Sequence, residues 1–87
     1  RFNDAMERED YALAAPLAVE VYQSTSDAVW LCNAGEAYRR HLQWNESRIY
    51  FERCLQAAPN AKYIPSVHAL LQQMPISNLG EQPYESP

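Results

Sequence analysis

The chain has 87 residues, of which 47% are hydrophobic and 21% charged, with a net charge of −4 and an isoelectric point near 5.0. This length allows one domain at most, and no apolar run approaches the roughly 18–20 residues that span a bilayer. An acidic chain also lacks the basic surface that displaces counterions from nucleic acid. We therefore expect a soluble domain with no membrane insertion and no nucleic-acid partner.

Two helices are predicted in the first quarter of the chain. Residues 2–8 are typical of the end of a truncated helix. A second helix should begin between Tyr11 and Leu13, because Pro16 then lies within about its first turn, where a missing N–H costs least. Apolar residues recur there at steps of three and four, which places them on one helical face: Ala14, Leu17, Ala18, Val21 and Tyr22.

A third helix is predicted from Ala28 to Leu42. Ser26 or Asp27 should cap its first turn, since a short side-chain oxygen accepts the unpaired backbone N–H groups there. Its apolar residues again recur at helical steps: Leu31, Ala34, Tyr38 and Leu42.

A fourth helix should begin at Asn45 and end near Ala57, because Pro59 cannot continue the hydrogen-bond ladder. Asn45 is the predicted cap, and Trp44 before it has the spacing of a hydrophobic staple with Ile49. The residues expected to be buried are Phe51, Cys54, Leu55 and one of Ile49 and Tyr50.

A last amphipathic helix should follow, with Asn60 as its cap. Its apolar face would consist of Ile64, Val67, Leu70, Leu71 and Met74, and its polar face of Lys62, Ser66, Gln72 and Gln73. A polar outer side is typical of a terminal capping helix. The helical domain is therefore predicted over residues 1–74. Residues 75–87 carry three prolines and little to bury, so we expect a flexible tail.

The spacing of residues 28–61 resembles the tetratricopeptide repeat (TPR) family, whose pattern is W-x2-L-G-x2-Y, then A-x3-F, then P. Leu31 stands at the Trp of that pattern, Ala34 at the Leu and Ser47 at the Ala. The remaining positions match or fit it: Gly35, Tyr38, Phe51, Cys54 and Pro59. The resemblance implies an all-α fold of antiparallel helix hairpins, stacked as a short right-handed solenoid. One complete unit would be preceded by a half unit and followed by the capping helix.

In the TPR family the first helix of each unit lines a concave groove. The resemblance therefore implies that six residues face a bound peptide: Val29, Cys32, Asn33, Glu36, Arg39 and Arg40. Several have a simpler interpretation. Glu36 can pair with Arg39 or Arg40 at helical spacing, and cations near a helix C-terminus complement its dipole. Arg48 and Glu52 have the same pairing spacing, and Gly35 is explained by close approach to Phe51.

The two cysteines lie on the two helices of the complete unit, at mirror-related heights if the helices form a hairpin. A disulfide between Cys32 and Cys54 is sterically conceivable, but its Cβ atoms must also face each other. Cys54 occupies a position where the repeat has a small packing residue. We therefore expect free thiols.

The sequence offers no motif for catalysis, cofactor binding or metal binding. It contains no Gly-rich phosphate loop and no nucleophile elbow, and its histidines and cysteines lack the spacing of a metal motif. We expect a non-enzymatic protein–protein interaction module, an adaptor or scaffold that binds a peptide or helix of a partner protein.

Two alternatives remain. The chain could be a structural or assembly subunit that forms homo-oligomers through incompletely covered repeat faces, or a TPR-type chaperone of a secreted or envelope protein. The sequence does not fix the compartment, and we favour a cytoplasmic location over a periplasmic or envelope-associated one.

Overall fold

The computed structural model describes residues 1–75, and the predicted tail beyond Pro75 lies outside the described residues. The described part is all-helical, as predicted, and contains five helices packed against one another. They are α1 (Phe2–Glu7), α2 (Tyr11–Thr25), α3 (Val29–Arg40), α4 (Trp44–Ala57) and α5 (Ile64–Gln73).

The substantial helix contacts join helices that are adjacent in sequence: α1 with α2, α2 with α3, α3 with α4, and α4 with α5. The central helix α3 therefore packs on α2 along one side and on α4 along another. This order is the one that stacked helix hairpins require, since each unit contacts only its neighbours. The right-handed solenoid itself stays a prediction.

The cap residue of α3 differs from the prediction, because Ala28 and neither Ser26 nor Asp27 precedes the first helical residue. Ser26 has a left-handed backbone with φ of 58° and ends α2. The Oδ1 of Asp27 then accepts a hydrogen bond from the Val29 N–H at 3.1 Å. The predicted cap is therefore wrong by one residue, although the Asp27 side chain still satisfies the N–H of the first helical residue.

The end of α3 differs from the prediction. Leu42 was expected on the buried face, but the helix ends at Arg40 and Leu42 is 67% exposed. Its φ of 61° places it in the left-handed region. The Leu42 N–H donates to the Arg39 carbonyl and the Gln43 N–H to the Tyr38 carbonyl, at 3.0 and 2.9 Å. This hydrogen-bond pattern reverses the chain after a helix and turns Leu42 outward.

The beginning of α4 also differs from the prediction. The helix begins at Trp44, so Asn45 lies inside the first turn and is not the cap residue. Ile49 is 54% exposed, and the predicted staple is wrong. Trp44 packs instead against the core cluster that contains Leu31 and Phe51.

The last helix has the predicted faces but a different beginning. Ile64 and Val67 are buried, Leu70 and Leu71 pack partly buried on the core, and the four predicted polar residues are exposed. The residue before α5 is Tyr63, so the predicted Asn60 cap is wrong. Pro65 lies in the first turn, where its missing N–H removes no helical hydrogen bond.

Two hydrophobic clusters form the core. One joins α3, α4 and α5 around Phe51, and the other joins α1, α2 and α3 around small side chains. The second consists of Ala5, Ala14, Ala15, Leu17 and Ala37. Alanine presents only a methyl group, so it allows the helix backbones of the N-terminal half to approach closely.

The expectation of free thiols is wrong. Cys32 and Cys54 form a disulfide that joins α3 to α4, with their Cα atoms 5.3 Å apart. The hairpin places the two positions level with each other, and the small residue that the repeat requires at position 54 is in this chain a cysteine that faces α3. Cys54 is fully buried, so the bond lies inside the core cluster.

Ser47 is the one buried polar residue in the core of the described chain. Its Oγ donates a hydrogen bond to the Gly35 carbonyl at 2.8 Å and lies 3.3 Å from the Sδ of Met74. We expect Ser47→Ala to lower the free energy of unfolding by about 1 kcal/mol, because a buried hydrogen bond between α3 and α4 is lost.

Urea unfolding followed by circular dichroism measures the effect of Ser47→Ala. The matched control is Ser66→Ala, at an exposed position of α5, which should leave the midpoint unchanged. Equal midpoints for Ser47→Ala and the wild-type chain would show that this hydrogen bond contributes nothing.

Candidate functional site

The central helix carries a strip of side chains that is left open between its two packing partners. Spacing of three or four residues aligns Val29, Asn33, Glu36 and Arg40 on one face of α3. On one side of them Ala37 is buried in the cluster shared with α1 and α2, and on the other Cys32 is bonded to α4. We call Val29, Asn33, Glu36, Arg39 and Arg40 the α3 strip.

The structure places the six predicted groove residues in different environments. Val29, Asn33, Glu36 and Arg39 are partly buried, and Arg40 is exposed. Cys32 is 8% exposed, and its sulfur is bonded to that of Cys54. Five of the six therefore form a continuous surface strip, whereas the Cys32 side chain belongs to the core.

The polar end of the strip is an ion-pair network centred on Glu36. Arg39 donates through Nε and Nη2 to the two carboxylate oxygens, at 2.8 and 2.7 Å, and Arg40 Nε donates at 2.8 Å. Burial raises the pKa of Glu36, but the hydrogen bonds from the two arginines outweigh it and leave that pKa below its ordinary value. Two cations share one carboxylate, so this end of the strip is net positive.

The Glu36 network should make stability depend on pH. Because the folded state lowers the pKa of Glu36, the ion pairs stabilise the fold above the ordinary carboxyl pKa of 4.5. Their contribution is lost as the pH falls through the lower folded-state pKa. We expect Glu36→Gln to cost about 0.5–1 kcal/mol at pH 7 and progressively less in acid.

Thermal melts of both chains between pH 7 and pH 3 measure this difference. Glu52→Gln, at an exposed position of α4, is the control and should change the melting temperature at pH 7 little. A Glu36→Gln effect that stays constant down to pH 3 would contradict the assigned network.

A second feature of this region is a cleft of about 340 Å³ beside the start of α3. Its aromatic wall is Phe2 against Trp30, packed edge to face with ring centroids 5.4 Å apart. The lining residues are Arg1, Phe2, Asn3, Leu17, Glu20, Val21 and Trp30. The sequence prediction did not include this cleft, although Trp30, next to Val29, was the available signal.

The aromatic residues of α3 and α4 form a further contact that the prediction missed. Tyr38 and Tyr50 stack with ring centroids 5.5 Å apart and an angle of 19° between planes. Burial, together with Tyr50 and the carboxylate of Glu46, raises the pKa of Tyr38. The guanidinium carbon of Arg53 also lies 5.1 Å from the ring centroid of Tyr50. The predicted pairing of Arg48 with Glu52 is replaced by a hydrogen bond from Arg48 to the Pro75 carbonyl at 3.3 Å.

Neither a metal site nor a membrane span is found in residues 1–75. No group of three or more His, Cys, Asp and Glu side chains in this range could hold a metal ion. None of the described helices is long and apolar enough to cross a membrane. Comparisons of the chain with family models, curated proteins and solved structures gave no match.

Proposed function

We propose that this chain is a TPR-like interaction module, an adaptor or scaffold that binds a peptide or helix of a partner protein along the α3 strip. The observation that carries the proposal is the open face of the central helix. α3 is packed on two sides, yet its third side bears a row of partly buried polar side chains. Side chains held in place by packing, but still accessible, lose little entropy on binding.

The packing around the strip supports a repeat-type scaffold. Gly35 approaches Phe51 closely, and Ser47 bonds back to the Gly35 carbonyl. These are three of the positions that carry the TPR resemblance, and all three act in the contact between α3 and α4. The disulfide adds a covalent link in the same hairpin. A rigid hairpin is a suitable support for a recognition helix.

The chemistry of the strip favours an extended acidic segment. The Asn33 amide can both donate to and accept from a peptide backbone. Arg39 and Arg40 carry one more positive charge than Glu36 neutralises, and Val29 gives the opposite end an apolar contact. A partner segment with an acidic residue at one end and an apolar residue at the other would match this order.

Peptides selected by phage display against the purified chain provide the test, with affinities measured by calorimetry. We expect Asn33→Ala combined with Arg40→Glu to weaken the selected peptides about tenfold or more, equivalent to about 1.4 kcal/mol. The control is Lys62→Glu, which reverses an exposed charge outside the strip and should leave affinity unchanged. Equal affinities for the wild-type chain and the double variant would refute the α3 strip.

Self-association is the second candidate, and the exposure of Leu42 and Ile49 favours it. Single exposed apolar side chains are common on monomers, however, and do not by themselves mark an interface. Light scattering coupled to size exclusion, over a concentration series, separates the two. The interaction module should be a monomer or weak dimer, whereas an assembly subunit should form a concentration-independent oligomer.

A further inference from the structure

One arginine lies within cation–π distance of two aromatic rings that belong to different helices. The guanidinium carbon of Arg53 lies 5.1 Å from the ring centroid of Tyr50, on the same helix, and 5.9 Å from that of Tyr22, near the end of α2. Both distances fall within the range of a cation–π contact. Tyr50 is in turn stacked on Tyr38, so its ring has a second aromatic contact besides Arg53.

This arginine differs from those that are neutralised internally. Arg8 pairs with Asp4, and Arg39 and Arg40 pair with Glu36. Within residues 1–75, no carboxylate forms a salt bridge with Arg53, and its side chain is exposed. A cation–π contact draws on the charge of the guanidinium, and none of the N–H donors of Arg53 is taken by a carboxylate in residues 1–75. The hydrogen-bonding edge of Arg53 therefore remains available.

We propose that Arg53, in cation–π contact with Tyr22 and Tyr50, forms a second binding site that takes an Asp or Glu side chain of a partner peptide. None of the three residues belongs to the α3 strip, so the site is additional to the proposed groove. The in-plane N–H pairs of a guanidinium match the two oxygens of a carboxylate. An apolar residue next to that carboxylate would pack on the partly buried tyrosine rings.

The aromatic support explains why this site suits binding. A free arginine side chain must lose rotamer freedom to bind, and contact with two rings makes that loss smaller. Tyrosine and arginine together are also the residue types that dominate binding energy at interfaces. A carboxylate carries a single charge, so it is repelled less by a chain of net charge −4 than a phosphate would be.

The test uses a blocked peptide, acetyl-Ala-Glu-Phe-Glu-Ala-amide, with its Gln-for-Glu analogue as the matched probe. Binding is followed by NMR through the Arg53 Nε–H signal of the full chain. We expect a dissociation constant of roughly millimolar order for the Glu peptide and no shift with the Gln peptide. Equal binding of both peptides, or no shift at Arg53, would overturn the proposal.

Four variants locate the site. Arg53→Lys keeps the charge but loses the planar fork, and Tyr50→Leu removes one ring, so each should weaken the Glu peptide about fivefold or more. Tyr50→Phe keeps the ring and should bind like the wild-type chain. Arg48→Lys, on the same helix, is the charge-matched control. If Arg48→Lys weakened binding as much as Arg53→Lys, the effect would be general electrostatics and the proposal would fail.

Discussion

Gly35→Leu is expected to unfold the domain or to lower its free energy of unfolding by more than about 3 kcal/mol. A Cβ atom at position 35 would lie 2.7 Å from Cδ1 of Phe51 and 3.0 Å from two further ring atoms. Phe51 is only 1% exposed, so its ring is enclosed by the core and cannot move away without disturbing other contacts. A leucine side chain extends well beyond Cβ and would force α3 and α4 apart.

Gly35→Ala gives a graded form of the same test. Alanine favours a helix over glycine by about 1 kcal/mol, yet we expect a net loss of about 1–3 kcal/mol because the added methyl group overlaps the ring. Phe51→Leu should relieve part of this cost in the double variant, so a double-mutant cycle by urea unfolding should show coupling. A Gly35→Leu chain that melts like the wild-type chain would contradict the assigned contact.

Removal of the disulfide is expected to cost about 3 kcal/mol, the loss of chain-entropy restraint for a loop of this size. Cys32 and Cys54 are separated by 22 residues in sequence, and the loop they close contains the whole turn between α3 and α4. In a small domain with a limited core, this is a large part of the net stability.

The double variant Cys32→Ala with Cys54→Ala measures this effect. Its unfolding midpoint should lie well below that of the oxidised wild-type chain and should not respond to a reducing agent. The wild-type midpoint should fall toward that of the variant in reductant. Wild-type stability that is the same with and without reductant, with no free thiol before reduction, would contradict a stabilising role for the bond.

Helix positions could be predicted from the sequence because they depend on local chemistry. Apolar spacing at steps of three and four, with Pro59 as a stop, indicated α2, α3 and α4 nearly to their observed ends. The predicted end of α3 was wrong because a backbone turn after the helix outweighed the preference of Leu42 for burial. Leu42 adopts a left-handed conformation that hydrogen bonding after α3 imposes. Leucine is not a residue that favours this conformation, so the residue type gave no signal for it.

The candidate site was predictable only where it lies along one helix. Glu36 and its arginines follow from helical spacing within α3, and that network is confirmed. The disulfide and the contact of Tyr22 with Arg53 join different helices. Their formation depends on how far apart the helices pack and how they are rotated, and neither quantity can be read from spacing along the chain.

The measurement that tests the binding role most directly is an amide chemical-shift map of the ¹⁵N-labelled chain, titrated with a display-selected peptide. Binding along the α3 strip predicts the largest shifts at Val29, Asn33 and Glu36, with little change on the exposed side of α5. Shifts concentrated on α5, with Asn33 and Glu36 unaffected, would contradict the assignment of α3 as the recognition helix.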